Sequence, residues 1–319
     1  MTKKLMKTKI TVVTILMTMF AAFSLKAGDP RSFDTKNSFW SEFVLVQPLN
    51  KSKSIRAQMD IQYRTQSEQG YYKVNPNLSN IFLHPYQTVL RPWFHYYAGK
   101  DQKMRFSISP IGLWFTYGVA GMPGIVNPTG AVNNTGFYRT PELRTTLQFT
   151  YYNTLGRVSL QQRYRYEFRW TGNKQASLPT ADDFSGSFTL SPGNNLNATT
   201  NRGRIRYMVR GMIALKGTTT DENELYIPFQ NEIFLGVGEN VKNVNLFDQN
   251  RAYLGIGYKT KSKILIELAY LHQFQTVKLA TDNGVSTMHF DNNNVLQLWV
   301  AFEDFGGLFK KKEKIEEIK

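Results

Sequence analysis

Residues 157–170 read RVSLQQRYRYEFRW, and from Arg163 onward charge and aromatic ring alternate strictly: Arg163, Arg165, Glu167 and Arg169 against Tyr164, Tyr166, Phe168 and Trp170. A period of two is how an extended strand sends successive side chains to opposite faces of its sheet. The aromatic face requires an apolar medium. The other face carries Arg and Gln rather than the mixed Lys, Glu, Thr and Ser of an ordinary solvated face. Arg suits fixed, bidentate pairing in confined places, so this face is expected to be enclosed as well.

The pattern recurs along the chain. SIRAQMDIQYRT sets Ile55, Ala57, Met59, Ile61 and Tyr63 against Arg56, Gln58, Asp60, Gln62 and Arg64. RTPELRTTLQFTYY sets Leu143, Leu147, Phe149 and Tyr151 against Glu142, Arg144, Thr146 and Gln148. NRGRIRYMVRGMIAL sets Ile205, Tyr207, Val209 and Ile213 against Arg202, Arg204, Arg206 and Arg210. With weaker examples in 224–238 and 263–275, and candidates at 38–47, 86–97, 103–117, 249–260 and 292–303, the reading counts eleven strands. Their connections alternate in length. PLNKSK, AGKDQK, NTLG, KGTTTDEN and TKSK are tight, whereas QSEQGYYKVNPNLSN, AGMPGIVNPTGAVNNTGFY and 171–200 are long and polar. Short turns on one rim and long loops on the other predict a transmembrane barrel of the outer-membrane type, in one domain.

The N-terminus fits an exported protein. Lys3, Lys4, Lys7 and Lys9 precede the apolar run ITVVTILMTMFAAFSL, the layout of a secretory signal peptide, here assigned to residues 1–27. Cleavage is expected after Ala27, with Ser24 as a second position and an uncleaved anchor as the alternative. The barrel then occupies 28–305, and the charged tail 306–319 is expected to be solvated in the periplasm. There is no Cys, which excludes disulfides, lipid-anchored Cys and thiol catalysis. The formal net charge is +15; residues 1–27 hold five Lys and no acid, leaving +10 for the rest. Export argues against nucleic acid, so the expected partners are outer-membrane lipid, the anionic groups of lipopolysaccharide and the barrel-assembly machinery. The protein is expected to be a monomer of the Gram-negative outer membrane.

A lipid-embedded sheet cannot leave an unpaired edge, so the fold class predicted is all-β: a closed, antiparallel up-and-down transmembrane β-barrel. Because single-chain bacterial barrels usually have an even count, about twelve strands are expected, with GDPRSFDTKN as the extra one; ten is the alternative. The charged interior is predicted to hold Arg56, Asp60, Arg64, Glu142, Arg144, Arg163, Arg165, Glu167, Arg169, Arg204, Arg206, Arg210, Glu232, Arg251 and Glu267, joined by Glu42, Arg91, Arg105 and Glu224. Either these charges pair internally and hold the wall apart, a structural role, or unpaired Arg residues form a narrow passive conduit for anions.

For catalysis, His95 and Ser107 are the only candidates singled out. They lie on strands joined by AGKDQK and could meet across that hairpin, the minimum for an outer-membrane lipid-modifying hydrolase. No nucleophile motif surrounds Ser107, no His/Asp/Glu spacing points to a metal, and no cofactor is expected. His272 is expected on the lipid face. A secreted soluble β-sandwich binding protein is the remaining alternative; the rhythm of long and short loops counts against it.

FWSEF at 39–43, PELR at 141–144, RYRYEFR at 163–169, NEIF at 231–234, FDQNR at 247–251 and NNNVLQLWV at 292–300 together resemble the domain of unknown function 2490 family. The resemblance runs from about Phe39 to Phe302 and implies an exported bacterial outer-membrane barrel. It implies no activity.

Overall fold

Alternating polar and apolar side chains give nearly every described residue an extended backbone. The computed structural model describes residues 31–67, 80–82, 85–99, 101–120, 136–171, 175–176, 200–217, 222–238, 246–282 and 285–307. Its strands are β1 (Arg31–Pro48), β2 (Ile55–Gln66), β3 (Pro85–Ala98), β4 (Met104–Ala120), β5 (Gly136–Leu155) and β6 (Val158–Thr171). They continue with the two-residue β7 (Gln175–Ala176), then β8 (Thr200–Ala214), β9 (Glu224–Val237), β10 (Phe247–Lys259), β11 (Ile264–Asp282) and β12 (Val285–Phe302). The expected signal peptide and most of the charged tail lie outside the described residues.

Each long strand pairs with its sequence neighbours, and the sheet closes on itself where β1 meets β12. β7 only extends β5 at Tyr138 and Arg139, so the wall has eleven strands, neither twelve nor ten. The closure explains how an odd count is possible. An up-and-down meander of eleven strands brings the first and last in the same direction, and β1 runs parallel to β12 from Arg31↔Met288 to Leu45↔Phe302. The segment expected to supply a twelfth strand instead runs into β1 without a turn.

The tight turns lie on one rim. Positive φ occurs at Lys53, Gly99, Gln102, Gly156, Gly217, Asn223 and Lys263, all in these short connections, and at Gly238 just after β9; Gly156 at 61° is the residue type that enters this region without steric cost. A ladder gap between Leu90 and Phe94, facing Ser109 to Gly112, contains both Pro92 and Pro110, which lack the N–H a regular ladder needs.

Outside, the wall is apolar. Phe94, Phe106, Ile108, Leu147, Tyr164, Phe168, Ile205, Tyr207, Leu254, Ile256, Leu268 and Tyr270 are all exposed, more apolar surface than a water-soluble monomer ordinarily leaves uncovered. Ring contacts run around it from Phe106 to Phe149, Tyr164 and Tyr207. Inside, the apolar residues are few. Val44, Tyr226, Leu265 and Ala301 cluster near the short-turn rim, and Trp40 packs with Tyr253, Ala269, Leu271 and Val295 further up.

Candidate functional site

The interior surrounds a cavity of about 820 Å³ lined by thirteen arginines and six carboxylates. Period-two alternation puts Arg163, Arg165, Glu167 and Arg169 on the inner face of β6, and register sets Glu167 opposite Arg204 of β8 and Arg165 opposite Arg206. Arg opposite Arg would be repulsive unless acids lie between them. Glu167, fully buried, accepts from Arg204 at 2.5 Å and Arg206 at 2.6 Å, with Arg144 and Arg165 each 3.8 Å away. Glu232 of β9 takes Arg206 and Arg163, both at 2.8 Å. Glu142 of β5 takes Arg144 at 2.5 Å and Arg169 at 2.6 Å. Each carboxylate thus serves at least two guanidiniums, which ties β5, β6, β8 and β9 together.

Two further acids anchor the remaining wall. Asp60 accepts from Arg91 at 2.7 Å, from the Trp93 indole N–H at 2.9 Å and from Gln58 at 2.5 Å. Glu267, fully buried, accepts from Arg210 at 2.5 Å and from the hydroxyls of Tyr226 and Tyr253 at 2.8 and 2.5 Å. Against these stand arginines met chiefly by neutral groups. Arg165 forks onto Gln148 Oε1, Arg105 reaches Tyr97 and Thr150, Arg56 donates to the Lys53 carbonyl, Arg64 to Gln62 and Gln87, and Arg251 to Gln273.

The interior tryptophans are the feature that residue-by-residue reading missed. Arg144 lies 4.0 Å over Trp114, Arg64 lies 4.0 Å over Trp40, and Arg91 and Arg165 each lie 5.0 Å from the Trp93 ring. For Arg64, which has no ion pair among the described residues, the ring takes the place of a counter-ion, whereas Arg144 and Arg91 keep their carboxylates as well. The signal was available: Trp40 shares the phase of Glu42, and Trp93 that of Arg91 and His95.

His95 and Ser107 do meet, as directly opposed residues of β3 and β4. His95 Nδ1 and Ser107 Oγ are 2.8 Å apart, and His95 Nε2 is 3.0 Å from Gln58 Oε1. Gln58 donates its amide to Asp60, so its oxygen faces His95 and can only accept. Nε2 therefore carries the proton, and Ser107 donates to Nδ1. This is a base oriented by an amide and bonded to a hydroxyl, but Ser107 is buried, and Gln58, His95 and Ser107 already satisfy one another. His272 alternates with the inward Leu271 and Gln273, on the outer face as expected. His84 and the side chain of His289 lie outside the described residues.

A family model described as protein of unknown function, DUF2490, matches residues 37–283. The chain belongs to the DUF2490 family. No curated protein matches it. Among solved structures, the DUF2490 chain is similar to the siderophore receptor PirA from Acinetobacter baumannii, at 11% identity and a TM-score of 0.24, over 78% of its own length. It spans 46% of that receptor's chain. The family model covers all the paired carboxylates described above, from Asp60 to Glu267, and ends before β12 closes the DUF2490 barrel.

Proposed function

We propose that this DUF2490 barrel is exported to the outer membrane and serves there as a narrow, anion-preferring conduit. The observation that carries the reading is the excess of arginine over carboxylate around the cavity, with Arg56, Arg64, Arg105 and Arg251 held by neutral partners. A net cationic lining repels cations and lowers the cost of bringing an anion into a confined space. The outer band of Leu, Ile, Phe and Tyr supports insertion in lipid, and the basic balance favours contact with anionic lipopolysaccharide. Insertion by the barrel-assembly machinery as a monomer belongs to the same reading.

Flux into vesicles tests it. Purified protein in liposomes is expected to release chloride faster than potassium; release of neither ion would reduce the interior to a structural brace.

A hydrolase acting on lipid is the second reading, favoured by the hydrogen-bonded Ser107, His95 and Gln58. The conduit reading expects no covalent labelling by a fluorophosphonate and no fatty-acid release. Labelling that disappears in Ser107→Ala would establish the hydrolase instead.

A further inference from the structure

Trp40 stands in β1 with its ring inside the barrel, 3% exposed, and its indole N–H has no acceptor. Buried indoles ordinarily find one, because an unpaired donor loses its water without compensation. Two cations share the same ring. Register sets Arg64 of β2 opposite Trp40, its guanidinium 4.0 Å from the ring centroid, and Arg251 of β10 comes to 5.1 Å of that centroid.

Both guanidiniums are met by amides. Arg64 donates to Gln62 at 2.5 Å and Gln87 at 2.8 Å, whereas Arg251 donates only its Nε, to Gln273 at 2.9 Å. Among the described residues neither forms an ion pair, and the two Nη groups of Arg251 make no hydrogen bond. The acid two residues along β1, Glu42, accepts from Gln297 at 3.4 Å; its charge acts on Arg64, but it forms no ion pair within 4 Å of a described cation. Two full charges therefore flank one ring at the cavity wall, with the ring's own N–H unmet and the Nη groups of Arg251 to spare.

An oxyanion held on the Arg251 fork would offset both cations, and one seated against the edge of the ring would also give the indole N–H the acceptor it lacks. We propose that Trp40, Arg64 and Arg251 form a binding site for a small soluble oxyanion, a phosphate or a carboxylate, inside the barrel. The site deepens the conduit reading but needs of it only that the cavity open to solution at one mouth, through which the anion enters.

Calorimetric titration of the folded protein in detergent with inorganic phosphate, and separately with succinate, tests the site and identifies which oxyanion it prefers. Saturable binding of either is expected, weakened roughly tenfold or more in Arg251→Gln, the loss of a charged hydrogen-bonding partner. Trp40→Phe keeps an aromatic face but removes the N–H together with part of the ring that both guanidiniums cover, so it weakens binding; electrophoretic mobility before and after boiling confirms that each variant is a barrel. Lys103→Gln, in the exposed β3–β4 turn, is expected to bind as the parent does. Equal weakening by Lys103→Gln would reveal diffuse charge attraction and overturn the site, as would unchanged binding in both Arg251→Gln and Trp40→Phe. A protein that passes chloride yet binds neither anion overturns the site and leaves the conduit intact. One that binds but passes no ion keeps the site and overturns the conduit.

Discussion

Glu167→Leu is expected to destabilise the barrel by about 3–5 kcal/mol, the range found when one partner of a buried ion pair is removed. Glu167 is fully buried and holds Arg204 and Arg206 directly, with Arg144 and Arg165 at 3.8 Å. Without it, guanidiniums of three adjacent strands face one another with fewer carboxylates to offset them. The penalty comes from uncompensated charge rather than from lost attraction, so Glu167→Leu combined with Arg204→Leu is expected to recover part of the stability. Denaturant unfolding of the protein in lipid vesicles, followed by tryptophan fluorescence, measures both. Single and double variants of equal stability would show that Arg204 is not strained by the loss.

Leu147→Arg gives the second large effect, and it separates a lipid-facing wall from a water-facing one. Leu147 is 47% exposed on the outer face of β5, beside Ile108 and Tyr166 in register. In water, an exposed substitution of this kind changes stability by about 0.5 kcal/mol or less. Facing hydrocarbon, an Arg costs roughly 2–4 kcal/mol near the bilayer midplane. The larger loss is expected in vesicles, with a smaller one in short-chain detergent, where the charge reaches water. A near-neutral effect in both would mean that this face does not meet lipid.

Much of the wall was legible because side-chain period reports directly which face a residue takes. The alternation in 157–170 placed Arg163, Arg165, Glu167 and Arg169 together, and the structure puts them on the inner face of β6. Alternation carries no information about strand direction or about which strand lies beside which. The parallel seam between β1 and β12 was therefore hidden, and an even strand count was expected where the chain closes with eleven. Strand ends were obscured for a related reason. Residues 276–291 alternate poorly, yet β11 and β12 stay paired through Ser286↔Thr281 and Val285↔Asp282, because a hairpin already in register extends itself by backbone hydrogen bonds.

Partners within the interior depend on register, which the one-dimensional pattern leaves open. That Glu142 would be shared by Arg144 and Arg169, while Arg251 would be left to Gln273, follows only once β5 is set against β6 and β10 against β11. The tryptophans were misleading for a different reason. Large apolar rings are expected on the lipid side, but Trp40, Trp93 and Trp114 turn inward, where each carries a guanidinium on its face. His95 and Ser107 were the exception, a contact found from sequence because a short hairpin fixes its own register.

A reversal potential under a salt gradient tests the cationic interior most directly. With purified protein in a planar bilayer and unequal potassium chloride on the two sides, the current is expected to reverse near the chloride equilibrium potential. Arg64, Arg105 and Arg251 would then be acting as charges free to attract anions. Reversal toward the potassium potential would contradict that, showing that the carboxylates of the wall, and not its arginines, set what passes through the barrel.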